Sequence, residues 1–551
     1  MQIIVIYIQW NFIHTPYIKD KGVTNMPITN FAAIDVGSND LSMKIFEVSK
    51  KNGIKELEFI RHTIELGSET YTNGKISHIL VNEMCQVLMA FTMKMKEYQV
   101  VDYTACATSA IRESLNSLLI LDQIELSSGL KVKILSNSEQ RFLCYKAIAL
   151  KENDFNKIIK KGTAIVDVGA GSIQISLFNK EALVTTQNIK LGSLRIREIL
   201  ADMENQTTNF NNLISEYMDN GLKTFHELFI KDTKIRNIIA VGDGLNDILK
   251  YATLKYIFAK EEKPLDSAED LTLNYVDRAK FSKLYQVLLS ESVGEISTTL
   301  GISKEQAALI LPTAMIYNKM FEKTNAEFMW FPGITLCDGL VAEYAEKKEK
   351  IIPSHQFTND IIVAAKNIAS RYHCNLTHAN NVEYSALNVF DSIRKLHGLG
   401  KRERLLLQIA VILHNCGEYI NMNAVGENSY NIIMSTEIIG LSHTEREVVA
   451  NLVRYNTSNF PKYLEFSRGF DKDTYIMICK LASILQISDA MDKSHRQKFS
   501  NLKITIKDKE LIITTETLED ITLEKGLFEK KADFFEEVYG IRPILKQKRS
   551  I

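Results

Sequence analysis

Apolar and polar positions change rhythm in the same way twice along the chain. Residues 163–178 read TAIVDVGAGSIQISLF. An apolar run at Ala164, Ile165 and Val166 gives way to a glycine-rich break over Asp167-Val168-Gly169-Ala170-Gly171-Ser172, and alternation resumes at Ile173, Ile175 and Leu177. Residues 31–46 repeat this, with Ile34 and Asp35, the break Gly37-Ser38-Asn39-Asp40, and alternation at Leu41, Met43 and Ile45. Apolar stretches on either side of such a break predict two buried strands joined by a tight loop. A strand–loop–strand unit repeated at domain-sized spacing predicts two similar lobes, each presenting one loop to a shared cleft.

The remaining periodicity fills in an α/β chain. The first lobe is expected over residues 26–151, with a long amphipathic helix at 76–97, a strand at 103–107, a strand at 132–135 and a helix opening at Ser136-Asn137-Ser138-Glu139. The second, over 152–346, adds a strand at 236–241 that ends at Gly242-Asp243-Gly244, then helices interrupted at Pro312 and at Phe331-Pro332-Gly333. Residues 350–498 read as all-helical. Residues 499–551 read as a small α+β domain, two alternating strands from Leu502 followed by an acidic helix around 529–539. Residues 1–25 are expected to be an extension outside the fold, because Met26 stands just before the first strand.

Length and charge narrow the possibilities. A chain of 551 residues has room for three or four domains. With 66 basic against 67 acidic residues, net charge −1, it carries no electrostatic footprint for nucleic acid or a membrane surface. Seven cysteines without a CxxC pair fit a reducing cytoplasm and no structural zinc. The opening MQIIVIYIQWNFI is too short to span a bilayer and lacks the basic start of a signal peptide.

The two loops carry the candidate chemistry. Glycines let backbone approach a ligand closely, successive N–H groups form an anion nest, and an acidic residue beside it suits a cation bridging to phosphate. On one copy alone, a hairpin whose Asp caps the turn explains the pattern as well; the second copy favours the phosphate reading. Gly242 and Gly244 read either as another backbone approach or as an ordinary turn. Glu139 also has two readings. Ser136-x-x-Glu139 before an apolar run is a capping box, whereas a carboxylate beside a phosphate cleft deprotonates water. Pattern alone favours the cap.

Taken in order, AAIDVGSND, ATSAIRES followed by Asn116, SNSEQR, and IVDVGAGS followed by LGS resemble the exopolyphosphatase/guanosine pentaphosphate phosphohydrolase (Ppx/GppA) family over residues 31–339. That resemblance implies two actin-like, ribonuclease H-like lobes around a cleft. It implies Glu139 as the catalytic carboxylate, Arg112 as a phosphate-contacting arginine, and Gly37, Ser38, Asn39, Gly169, Ala170, Gly171 and Ser172 as phosphate loops. Mg2+, with a monovalent cation as a further candidate, would be held by Asp167 and Asp35. Three positions depart from the family pattern: Asp40 replaces a serine, Ala170 a glycine, and Gln140 the second of two glutamates.

The helical region resembles an HD-like domain, with His378 as the first histidine, His414-Asn415 for the His-Asp pair, and Asp489 (or Asp492) as the closing aspartate. Asn415 offers only a neutral amide, so the domain is expected to be degenerate and non-catalytic, extending a polyphosphate groove or forming a homodimer contact. The resemblance implies a cytoplasmic exopolyphosphatase. A guanosine pentaphosphate (pppGpp) phosphohydrolase with the same site, and a non-catalytic sensor of (p)ppGpp or polyphosphate, are the alternatives.

Overall fold

The computed structural model describes residues 29–548 apart from 152–154, 181, 232, 243, 256–274, 352–354, 356 and 467–469. The expected extension at 1–25 and Asp243 lie outside the described residues. Lobe I is built on β1 (Thr29–Val36), β2 (Asp40–Ser49), β3 (Gly53–Thr63), β4 (Asp102–Ala107) and β5 (Val132–Ile134), in the order β3-β2-β1-β4-β5. Lobe II repeats the plan with β6 (Thr163–Val168), β7 (Ile173–Asn179), β8 (Ala182–Ile189), β9 (Asn237–Val241), β10 (Tyr275–Asp277) and β11 (Phe328–Trp330), ordered β10-β11-β9-β6-β7-β8. In each lobe the hairpin holding the glycine-rich break is antiparallel, and its first strand pairs in parallel with the next strand inward, β1 with β4 and β6 with β9. The two actin-like lobes follow from this repeat.

Two helices exchange lobes. The Asn137–Lys151 helix falls in lobe I by sequence, yet its Cys144, Tyr145 and Ile148 share a core with Ile165, Phe178 and Leu183 of lobe II. Conversely, the Leu336–Tyr344 helix falls in lobe II by sequence, but Leu336, Cys337 and Leu340 pack with Phe31, Ala33 and Phe46 under the lobe I sheet. The two cross where Gly339 meets the backbone of Leu143; a β-carbon there would sit 2.6 Å from the Leu143 carbonyl. The expected boundaries at 151 and 346 therefore assign each of these helices to one lobe while much of its packing is with the other.

Pro312 opens a helix rather than breaking one. It stands in the first turn of Ile310–Thr324, where its missing N–H removes no helical hydrogen bond. The C-terminal region is helical as expected, and its tail holds β12 (Leu502–Lys507), β13 (Glu510–Glu516), the Thr522–Tyr539 helix and β14 (Arg542–Lys548). β14, absent from the sequence reading, runs parallel to β13. Leu511, Ile513, Phe528 and Phe535 of the tail belong to the same apolar core as Leu406, Ile409 and Leu485 of the helical region. Among the described residues no helix is long and apolar enough to cross a membrane.

Candidate active site

The two hairpin loops face each other across the cleft with matching geometry. Gly37 N–H donates to the Asp40 carbonyl at 2.9 Å, and Gly169 N–H to the Ser172 carbonyl at 3.0 Å. A third segment, Leu191-Gly192-Ser193, backs the second loop: Arg195 N–H donates to the Ala170 carbonyl at 3.0 Å, and a β-carbon on Gly192 would collide with that carbonyl. Gly242 takes φ +135°, which glycine adopts freely, and lies against the Val168 carbonyl. Gly37, Ser38, Asn39, Gly169, Ala170, Ser172, Gly242 and Gly244 all line one cleft with Asp35 and Asp167. Gly171 is not in that lining. A β-carbon there would meet the Tyr71 hydroxyl and sit 2.7 Å from Ser109 Oγ.

Side chains from both lobes close the cleft. Ser38 Oγ lies 2.8 Å from Ser109 Oγ and accepts from Tyr71 at 2.8 Å, linking the first loop to the strand end at Thr108. Arg195 of lobe II donates to the Gly171 carbonyl at 2.6 Å and to both Glu113 oxygens of lobe I at 2.9 Å, with its guanidinium 3.9 Å over the Tyr71 ring. Arg197 adds a bond to Glu65 at 2.9 Å, and Gln306 one to Thr63 at 2.6 Å. The space left between the loops is about 110 Å³.

The charge in that space is negative. Asp35, Asp40, Asp167 and Asp247 line it against one arginine, Arg61. Asp40 is neutralised: Arg61 donates to its carboxylate at 2.6 and 2.9 Å. Asp247, absent from the sequence reading, lies 3.8 Å from Arg61, and burial pushes its carboxyl above the usual range despite that arginine. Two further oxygens, Asn39 Oδ1 and Gln174 Oε1, are buried without a hydrogen-bond partner. A phosphoanhydride would be repelled by this lining unless a cation stood between, and carboxylate and amide oxygens suit a hard divalent ion. Asp35 and Asp167, with these amide oxygens, are the residues that fit Mg2+, which when bound would neutralise phosphate oxygens.

Glu139 and Arg112 are not in this cleft. Glu139 accepts from Ser136 N–H at 3.0 Å and Ser136 Oγ at 2.9 Å, the capping box, and pairs with Lys133 at 2.5 Å. Its neighbour Gln140 points inward and lines the cleft. Successive helical residues are about 100° apart, and packing of Tyr145 and Arg141 onto lobe II fixes which one faces the loops. Arg112 donates to the Leu135 carbonyl at 2.7 Å and to Asn137 Oδ1 at 2.5 Å, on the same outer side as Glu139. Contrary to expectation, neither residue lines the cleft: the first carboxylate of the pair is spent on the helix start, and the residue of that turn that lines the cleft is the amide Gln140.

The helical region does bring its histidines together. His378 Nδ1 lies 2.8 Å from the Asp492 carboxylate and His414 Nδ1 2.6 Å from the Val411 carbonyl, so each ring donates there. Their Nε2 atoms then face each other at 3.2 Å, with an Asp489 oxygen 3.4 Å from each. Lone pairs converging in a buried place call for a cation, either a proton or a metal ion. Burial opposes a charge on His378, but Asp489 and Asp492 raise its pKa to about 9. The group His378, His414 and Asp489 is compact enough to hold one metal ion. Asp492, not Asn415, supplies the second carboxylate, as the hydrogen-bond partner of His378.

Two lobes with opposed glycine-rich loops and acidic residues at their bases define an actin-like phosphate-binding protein. The chain belongs to the Ppx/GppA phosphatase family, whose description matches residues 45–348, with the family's domain III matching 362–531. A guanosine-5'-triphosphate,3'-diphosphate pyrophosphatase of Vibrio atlanticus is 21% identical over 88% of this chain and 91% of its own. A protein of the same name from Pseudoalteromonas translucida is 20% identical over 78% and 81%. Among solved structures, an exopolyphosphatase from Cytophaga hutchinsonii superimposes with a TM-score of 0.50 at 15% identity, covering 58% of this chain and 98% of that one.

Proposed function

We propose that the cleft takes the terminal phosphate of a linear phosphoanhydride, inorganic polyphosphate in the first instance, and transfers it to water. The observation that carries this reading is the pair of equivalent loops, one per lobe, with Asp35 and Asp167 at their bases. A space of about 110 Å³ suits phosphoryl groups rather than a whole nucleotide. Backbone N–H groups and the Ser38, Ser109 and Ser172 hydroxyls hold the chain end, and Gln140 orients the attacking water, as an amide does in small GTPases. The water's proton then passes to a phosphate oxygen rather than to Glu139. The same chemistry on pppGpp is the second reading, supported by the match over 88% of this chain to a relative named for that nucleotide.

The test is phosphate release with Mg2+ from long-chain polyphosphate, pppGpp and ATP. Gln140→Ala is expected to lower kcat by about tenfold or more and Gln140→Glu to raise it, with Glu139→Gln within about twofold of wild type because its carboxylate lies outside the cleft. Polyphosphate turnover exceeding that of pppGpp supports the first reading, and the reverse order the second. Wild type that binds these ligands without turnover, and turns over only as Gln140→Glu, would make the chain a (p)ppGpp or polyphosphate sensor.

A further inference from the structure

Gln140 faces the cleft, and Glu139 faces a different space. On that outer side a cavity of about 450 Å³ opens between the turn from β5 into the Asn137–Lys151 helix and the start of the His443–Arg454 helix. We propose that this cavity is a second anion site, taking the phosphate groups of an oligophosphate.

Charge balance carries the proposal. The cavity's two carboxylates are already matched: Glu139 by Lys133, and Glu437 by the buried Arg141 and by Asn137 at 3.0 Å. Arg112 and Arg446 are left over. Arg112 spends its bonds on a carbonyl and an amide. Arg446 donates to the Thr436 carbonyl at 3.2 Å and lies 3.1 Å from His443 Nδ1, while its Nε is buried with no partner. Among the described residues neither arginine has a carboxylate within ion-pair distance. Burial alone lowers the pKa of Arg446, the mark of a cation removed from water without a counter-charge.

The backbone adds to the same field. Both helices start at the cavity wall, so their positive ends converge on it, and Ser442 and Thr444 supply hydroxyls, the Ser136 hydroxyl being spent on Glu139. Two planar guanidinium forks, two helix starts and two hydroxyls match a multiply charged tetrahedral anion better than a single carboxylate. The volume accommodates a diphosphate with or without an attached nucleoside. One helical turn separates this site from the cleft, so an occupant bonded to Arg112, which itself holds Asn137, bears on the turn that carries Gln140. The site goes beyond the cleft reading and does not depend on it.

The test is calorimetric titration of the full chain with imidodiphosphate, whose P–N–P link resists hydrolysis, against Arg446→Gln and Thr444→Glu. Thr444 is exposed in the first helical turn, where a glutamate favours the helix, so this variant is expected to keep its fold, checked by its melting curve. Wild type is expected to bind two equivalents, and each variant to weaken one binding event at least tenfold while leaving the other. A single wild-type event that Thr444→Glu abolishes would sustain this site and overturn the cleft reading. Binding that neither variant alters overturns the proposal. Guanosine 3',5'-bis(diphosphate) weakened by Thr444→Glu alone would identify a free nucleotide as the source. Long-chain polyphosphate weakened by both Thr444→Glu and Gly171→Ala in the second loop would identify one chain spanning both sites.

Discussion

At the residue scale, the distinction that matters is between two neighbours. Glu139 closes a capping box and Gln140 enters the cleft, so Glu139→Gln tests the helix start rather than the chemistry. Glutamine still closes the box but loses the negative charge at the helix start and beside Lys133, so it is expected to lower stability by about 0.3–1 kcal/mol in denaturant melts, with phosphate release within about twofold of wild type. Asp247 gives a pH signature. Its folded pKa is raised by burial, so the stability it contributes is whole below its unfolded value near 4 and is lost as pH rises through the folded value. Asp247→Asn is therefore expected to melt with wild type near pH 4 and above it by about a degree or more at pH 7. The loops themselves were legible, because a Gly-rich break between alternating apolar strands fits a tight hairpin and little else. Which of Glu139 and Gln140 faces inward was not. A helix's rotation about its axis is set by Arg141, Cys144 and Tyr145 meeting the other lobe, contacts distant in sequence. The departure at Asp40 was visible in the sequence, but its neutralisation by Arg61 of the neighbouring strand β3 was not.

At the element scale, the crossing of the Asn137–Lys151 and Leu336–Tyr344 helices is the joint of the molecule. Each belongs by chain order to one lobe and packs under the other. Gly339→Ala places a β-carbon on the Leu143 backbone, and the expected cost is about 1–3 kcal/mol from separating the pair. Because Gln140 rides on the first of these helices, weaker imidodiphosphate binding in the cleft should accompany the lower melting temperature, and calorimetry on the same samples measures both. The sequence reading placed the four hairpin strands with β4, β5, β9, β12 and β13, and left out β3, β8, β10, β11 and, at the end of the chain, β14. Pro543 and the basic residues Lys546 and Lys548 break its apolar pattern, and Pro is admitted there because β14 lies at a sheet edge. It also drew lobe boundaries at chain positions where packing draws none, since periodicity reports that a helix has an apolar face and not whose sheet that face covers.

At the scale of the whole molecule, the helical region is joined to the lobes rather than appended to them. Its His378, His414 and Asp489 remain assembled although Asn415 replaces the expected aspartate. Elemental analysis of the purified full chain is expected to find about one divalent transition metal per molecule, lost in His414→Ala; a metal content indifferent to that change would leave a shared proton as the bridging cation. The region's Phe357–Arg371 helix lies along β8, where Asn367 donates to the Leu183 carbonyl at 2.7 Å and Arg371 reaches Thr185. β8 is the last strand of its sheet. That helix thus shields a row of backbone groups which would otherwise pair with any passing strand. Cutting the chain after lobe II would expose this row, and the resulting fragment should self-associate edge to edge.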